Sequence, residues 1–346
     1  MNNDNSQPYY GCNAITKQAL TFNGTMPAGK YVGLCCEGLG GDILPPYISL
    51  GKNGQETIEN FLLMRDKVIE ESGLSAGDRV HSNGCLTCAH YRLQEWPENH
   101  QIKYINLSQY PSPCQCMCVY CSLREEGLFD VTPESERINE IILEALDYAF
   151  EKDLIHPEAT WQVSCGEITI HPFRQRIYDL LSDKQVCFYT NAMLFDEHIA
   201  RNLSANPRSS INLSIDSGTA STWHKVKGID NFGKVVSNLE RYAKHSSRDG
   251  QITLKYILLP EVNANLEDYD GLIGIMKSIR TSHLVLSRDA LKGQKYKDDA
   301  QILTMAASLV ARLKRNDFTC DMHWGFNPRE EKKIRLLAEK LLEENQ

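Results

Sequence analysis

The chain has 346 residues, 42% of them hydrophobic, enough for one large α/β domain with a smaller appendage and too few for three domains. Its 37 lysines and arginines against 45 aspartates and glutamates leave a net charge of −8 without any basic block, which argues against nucleic acid or an anionic membrane as partner. No apolar run approaches the ~20 residues that span a bilayer, no N-terminal stretch resembles a signal peptide, and 12 cysteines in this length are too sparse for a disulfide scaffold, so a reduced, cytoplasmic protein is expected.

Residues 1–12 are polar and end at Cys12. Strand-like alternation at 21–22 and 31–34 leads into Cys35-Cys36, and a helix is expected over 57–72 with Ile58, Phe61, Leu62 and Ile69 on one face. Asn83-Gly84 is a turn signal just before Cys85-Leu86-Thr87-Cys88, and 97–100 reads as a linker. These features predict a small cysteine-rich α+β domain over 1–99. From residue 101 the pattern changes to strands at 104–108, 161–164, 186–190, 211–216, 252–258 and 283–287, with helices at 133–152, 232–244 and 266–279 among the intervening segments. Such alternation means parallel βαβ units, and six strands predict a partial (β/α)6 TIM-like barrel over 100–325. A helix at 301–314 and a strand-like 318–323 follow, then a terminal helix at 328–344 with Ile334, Leu337 and Leu341 as its stripe, within a C-terminal segment 326–346. Cys165, Cys187 and Cys320, on or beside strands, read as small buried hydrophobes.

The chemistry gathers after the first barrel strand, in Pro113-Cys114-Gln115-Cys116-Met117-Cys118-Val119-Tyr120-Cys121. Three thiolates on one loop, Cys114, Cys118 and Cys121, can take three corners of a [4Fe-4S] cube and leave its fourth iron open. An open position separates a reactive metal site from a closed, structural one. Cys116 is read as a non-ligand, although as a fourth thiol it leaves a zinc site as the alternative. The later strands end in Ser164-Cys165-Gly166-Glu167, in Tyr189-Thr190-Asn191-Ala192 and in Leu213-Ser214-Ile215-Asp216-Ser217-Gly218, all at the C-terminal strand ends where such barrels place their active sites.

The Cys-x3-Cys-x2-Cys spacing with Tyr120 before its last cysteine resembles the signature of the radical S-adenosylmethionine (SAM) superfamily, and the three strand ends resemble that family's Gly-Gly-Glu, Thr-Asn-Gly and Ser-x-Asp-Gly motifs in the family's order. Cys165 and Ala192 stand where the family usually has glycine. The resemblance, over about residues 100–325, implies SAM chelated to the open iron, its reductive cleavage to a 5′-deoxyadenosyl radical, and hydrogen abstraction from a substrate. It also implies a reductant such as flavodoxin or ferredoxin. Glu167, with Gly166 letting the backbone close in, would hold the methionine ammonium. Ser214 would meet the methionine carboxylate, Thr190 and Asn191 the ribose or substrate side, and Tyr120 the adenine, with shielding of the cluster alone as the alternative for Tyr120. Asp216 is a candidate proton acceptor, with a turn or capping residue as the plainer alternative. Lys225 and Lys227 read as solvated charges.

Cys12, Cys35, Cys85 and Cys88 around a helix resemble one half of the SPASM-type auxiliary module, here placed before the barrel instead of after it. They would fill all four corners of a second [4Fe-4S] cluster, with a zinc ion held by the same four cysteines as the alternative. The stretch from Ser214 through Trp223-His224-Lys225-Val226-Lys227-Gly228 to Asn231-Phe232 resembles radical SAM proteins that accompany glycosyl- and methyltransferase-type genes, so a sugar, glycan or other small metabolite is expected ahead of a peptide substrate. A non-catalytic iron-sulfur electron carrier is the reading from another class.

Overall fold

The computed structural model describes residues 9–11, 17–23, 31–34, 47–73, 92–94, 101–108, 110–125, 127–289, 300–322 and 326–344. Cys12, Cys35, Cys36, Cys85 and Cys88, and the expected linker 97–100, lie outside the described residues. The strands are β1 Tyr9–Gly11, β2 Leu20–Asn23, β3 Tyr31–Gly33, β4 Tyr47–Ser49, β5 Arg92–Gln94, β6 Ile102–Ser108, β7 Ile155–Ser164, β8 Gln185–Tyr189, β9 Ser210–Ser214, β10 Ile252–Leu258, β11 His283–Arg288 and β12 Thr319–Met322. The helices are α1 Gly54–Gly73, α2 Ser122–Glu125, α3 Pro133–Glu151, α4 Arg174–Leu181, α5 Glu197–Ala205, α6 Ala220–Lys227, α7 Phe232–His245, α8 Leu266–Ser278, α9 Ala300–Arg315 and α10 Pro328–Glu343.

Two compact units share these elements. The first comprises Met1–Pro113, Gly127–His171 and Lys184–Cys187. In it β6 and β7 run parallel, in register from Tyr104 opposite Thr160 to Ser108 opposite Ser164. The crossover between them is α3, which begins at Thr132 with a capping box and a proline in its first turn and buries Ile138, Ile142, Ala145, Leu146 and Ala149 along one face. On its other edge β6 pairs in parallel with β2, and β3 and β4 continue antiparallel from there. Residues before 100 therefore contribute strands to the sheet that carries β6. Helix α1 starts so close to α3 that a side chain on Gly54 would fall 2.2 Å from the Glu144 carbonyl carbon.

The second unit comprises Cys114–Glu126, Pro172–Asp183 and Phe188–Gln346. Strands β9, β10, β11 and β12 are parallel neighbours in that order, and the helices between them satisfy the need of parallel strands for long crossovers. The last helix, α10, is capped by Asn327 and Glu330 and is tied to the end of β11 by a buried ion pair, Arg288 Nη2 to Glu330 Oε2 at 3.0 Å. The mostly parallel α/β class expected from the alternation is the class observed. Helices α2, α4, α5 and α6 and strands β1, β4 and β5 are additions to the elements named from the sequence.

One property of these strands bears on function. Within β6, β7 and β9 and the first half of β10, the buried apolar positions alternate with polar ones: Ile105 and Leu107 against Tyr104, Asn106 and Ser108; Trp161 and Val163 against Gln162 and Ser164; Ile211 and Leu213 against Asn212 and Ser214; Leu254 against Thr253 and Lys255. A parallel sheet with core on both faces would read as continuous apolar runs. In both units one face is a core and the other is polar.

Candidate functional site

In the second unit the cysteine loop is docked on the end of α6. The carbonyls of Lys227 and Val226, left without helical partners in the last turn, accept the amides of Met117 at 2.8 Å and Val119 at 3.0 Å. Gly228 closes that helix in the left-handed region at φ 72°, and a Cβ there would stand 2.8 Å from that of Met117. Asn191, just past β8, fixes the other side of the loop: its Nδ2 donates to Gln115 Oε1 at 2.9 Å and to Cys114 Sγ at 3.5 Å, while its Oδ1 accepts the Met193 amide at 2.9 Å.

So held, the four thiols differ. Cys114, Cys118 and Cys121 are half-buried, whereas Cys116 is buried with its thiol directed to Met193 Sδ at 3.6 Å. Hydrogen bonds to Cys114 and Cys118, then burial, push the Cys116 thiol far above its usual range. Cys118 is drawn down to about 6, chiefly by the hydrogen bond from Cys116 and, against the opposing effect of burial, by the charge of Lys227. Burial raises Cys121. Among the described residues no three histidine, cysteine or acidic side chains converge as they would on a single ion; the thiolates of a cube each take a different iron and need no such convergence. Beside them the Gln115 Nε2 is buried with no hydrogen-bond partner among the described residues. Three half-buried thiols and an unpartnered amide donor suit a group rich in sulfur acceptors, so the residues present fit a [4Fe-4S] cluster.

Behind the loop stands a buried network that the sequence reading missed. Lys227, expected as a solvated charge, has a side chain only 4% exposed, and its Nζ donates to Asp216 Oδ2 and to Tyr120 Oη, each at 2.6 Å. The Tyr120 hydroxyl donates in turn to Asp216 Oδ2. Asp216 Oδ1 accepts the Ile257 amide at 2.7 Å, and its carbonyl accepts Asn263 Nδ2 at 2.9 Å. Burial works against the Lys227 charge, but the Asp216 carboxylate and Cys118 outweigh it and hold the ammonium above its usual range. Burial and the neighbouring Asp216 raise the Tyr120 phenol well above normal. The missed signal was Lys227 standing next to Val226 and one turn after Trp223, both fully buried; Lys225 is exposed, as expected. With both carboxylate oxygens engaged, Asp216 has the environment of an organising residue, nearer the turn alternative than a free proton acceptor.

The first unit carries the Gly166-Glu167 turn. The Glu167 amide donates to the Pro113 carbonyl at 2.7 Å. Gly166 sits at φ 62°, and a Cβ on it would lie 2.6 Å from the Ser112 carbonyl carbon, so only glycine fits this approach of two backbones. Glu167 is fully buried, and its Oε1 accepts from the Thr169 amide at 3.1 Å and the Thr169 hydroxyl at 2.9 Å, capping the short 3-10 turn Ile168–Ile170. Asn106, Ser108 and Ser164 form a buried polar group alongside, with Ser164 Oγ 3.1 Å from Asn106 Oδ1 and 3.3 Å from Ser108 Oγ.

The remaining expected positions are distributed as follows. Thr190 Oγ1 accepts the Ala192 amide at 3.1 Å, and Ser214 ends β9 half-buried. Asn191 is engaged with the cysteine loop. The residues that follow β7, β8 and β9 all turn through positive φ: Cys165 at 65°, Ala192 at 54° and Asp216 at 50°. Of the three cysteines expected as buried, Cys320 on β12 is buried, while Cys165 and Cys187 are half-buried.

The radical SAM superfamily model matches residues 113–272. No curated protein sequence matches the chain. Solved structures similar to it include Streptococcus suis SuiB bound to the precursor peptide SuiA, at 12% identity and a TM-score of 0.44, covering 62% of this chain and 48% of SuiB. SuiB bound to S-adenosylmethionine matches at 11% identity and 0.43, covering 63% and 50%. A radical SAM methyltransferase from Sphaerobacter thermophilus matches at 14% and 0.45, covering 64% and 66%. The match to SuiB thus spans about half of that protein's length, and likeness at this level carries nothing about substrate or reaction.

Proposed function

From the premise that residues 113–272 are a radical SAM domain, we propose that this chain is an enzyme that holds a [4Fe-4S] cluster on Cys114, Cys118 and Cys121, cleaves SAM reductively, and abstracts hydrogen from a small polar substrate, with a sugar or glycan preferred. When bound, the cluster supplies one electron to SAM, whose C5′–S bond breaks to leave methionine and a 5′-deoxyadenosyl radical.

The observation that carries this reading is the division of the loop's thiols: three half-buried on a loop fixed from both sides, and the fourth buried against Met193. Asn191 and Gln115 orient the first ligand through the amide donated to Cys114. Glu167 receives the methionine ammonium as a charge-assisted pair, prearranged by the Thr169 donors that fix its other interactions. Gly166 allows the close backbone approach, and Ser214 and Thr190 offer hydroxyls to the methionine carboxylate and the ribose. Tyr120 presents its ring and backbone to the adenine, because its hydroxyl is taken up by Lys227 and Asp216.

The polar face supports the choice of substrate class. Within the second unit the polar strand face carries Asn212, Ser214, Thr253 and Lys255, and within the first it carries Tyr104, Gln162 and the Asn106–Ser108–Ser164 group; neither is the continuous apolar run of strands packed on both faces. Hydroxyls and amides of this kind recognise a hydroxylated substrate by hydrogen bonding.

Anaerobic reconstitution followed by incubation with dithionite and SAM tests the proposal. Wild type should release 5′-deoxyadenosine and Cys114→Ala none, whereas a cluster-loaded protein that releases none is an electron carrier.

A further inference from the structure

A buried cation remains for which the proposed chemistry has no use. Burying an ammonium is costly unless a partner and further hydrogen bonds compensate it, and at the end of α6 a leucine or methionine would fill the space of Lys227 without that cost. Here the compensation comes from Asp216 Oδ2 and Tyr120 Oη, both at 2.6 Å, with Asp216 itself pinned by the Ile257 amide at 2.7 Å. The ammonium also lies over the Tyr120 ring, 5.1 Å from its centroid.

The network reaches the cysteine loop through Tyr120 and through the end of α6. Tyr120, which accepts from the Lys227 ammonium at 2.6 Å, stands between Cys118 and Cys121 in the chain, and the Lys227 and Val226 carbonyls hold the Met117 and Val119 amides. Charges interact more strongly where water is excluded than in bulk solvent, and a cluster's potential responds to net charge and to the groups around its thiolates. We propose that Lys227 is a positioning residue whose fixed positive charge, transmitted to the cysteine loop beside Cys118, raises the reduction potential of the cluster, with Asp216 setting how much of that charge the cluster feels. The step concerned is the transfer of one electron from an external reductant to the oxidised cluster, with no bond made or broken. The inference rests on the proposal that Cys114, Cys118 and Cys121 hold that cluster.

Anaerobic potentiometric titration, followed by the electron paramagnetic resonance (EPR) component that responds to SAM and so reports the loop cluster, tests it on reconstituted wild type, Lys227→Met, Lys227→Arg and Asp216→Asn. In Lys227→Met the ratio of reduced to oxidised cluster at a fixed potential should fall about tenfold, equivalent to about 59 mV for a one-electron couple. Lys227→Arg, which keeps the charge, should stay near wild type, and Asp216→Asn, which removes the countercharge, should shift the ratio the opposite way. A merely structural role would shift all three variants alike or none, and either result overturns the inference. Should Lys227→Met show no SAM-responsive signal, Asp216→Asn decides, and an unchanged ratio there overturns the inference. A wild type that takes up no cluster overturns the functional proposal itself, whereas a loaded wild type indifferent to both charges overturns only this inference.

Discussion

The Glu167 amide donates to the Pro113 carbonyl at 2.7 Å, so the residue immediately before the first cysteine of the loop is bonded to the carboxylate-bearing turn that follows β7. The contact depends on Gly166, whose missing side chain lets the Ser112 backbone approach. Gly166→Ala adds a left-handed penalty of roughly 1–2 kcal/mol and an overpacking cost of about 1–3 kcal/mol. Chemical denaturation should show a loss of roughly 2–5 kcal/mol, and a loss below about 0.5 kcal/mol would remove the close approach from the account.

The two departures from the family's glycines have different expected consequences. Cys165 is half-buried at φ 65° and Ala192 fully buried at φ 54°. Replacing Cys165 by glycine relieves about 1–2 kcal/mol of left-handed strain against roughly 0.5–1 kcal/mol of added chain entropy, a net gain of about 0.5–1 kcal/mol. Ala192→Gly gains the same relief but gives up a buried methyl worth about 0.8 kcal/mol, so its stability should stay near wild type. Equal and large destabilisation by both changes would contradict this reading of the strand ends.

Those strand ends also show what was legible beforehand. The glycine-rich pattern of the resembling family is a statement about backbone conformation, and the positive φ of Cys165, Ala192 and Asp216 explains why small or turn-forming residues stand there. Strands β6 to β12 and the long helices α3, α7, α8, α9 and α10 were legible because their apolar residues repeat with the period of the element. The parallel pairing of β2 with β6 was not, since nothing local specifies a partner about 80 residues away. The polar strand face was available as the period-2 alternation in Asn106-Leu107-Ser108 and Asn212-Leu213-Ser214 but was passed over in favour of the β-branched residues. Lys227 was misread because a lone lysine near a helix end is usually solvated, and only its tertiary partner Asp216 makes burial tolerable.

Cysteine alkylation followed by mass spectrometry tests the division of the loop. In the metal-free protein Cys114, Cys118 and Cys121 should be modified well before the buried Cys116. Cluster loading should protect those three while the half-buried Cys165 and Cys187 stay reactive. Modification of Cys116 first, or protection of Cys116 in place of Cys114, would reassign the ligands.

For Cys12, Cys35, Cys85 and Cys88 the proposal is a second, fully ligated cluster. Two cubes give about eight irons per chain after anaerobic reconstitution, and Cys85→Ala with Cys88→Ala should halve that while 5′-deoxyadenosine formation persists. About four irons with one zinc in the wild type would make the site structural.

The central claim is a cluster with one iron left open for SAM, and the EPR spectrum of the reduced cluster with and without SAM addresses it most directly. In wild type and in Cys116→Ala, adding SAM should change the spectrum of the reduced cluster, because SAM ligates the open iron. Cys114→Ala, Cys118→Ala and Cys121→Ala should each lose the component of the signal that responds to SAM. A wild-type spectrum indifferent to SAM, or a SAM-responsive component that survives in Cys114→Ala and vanishes in Cys116→Ala, would contradict the account.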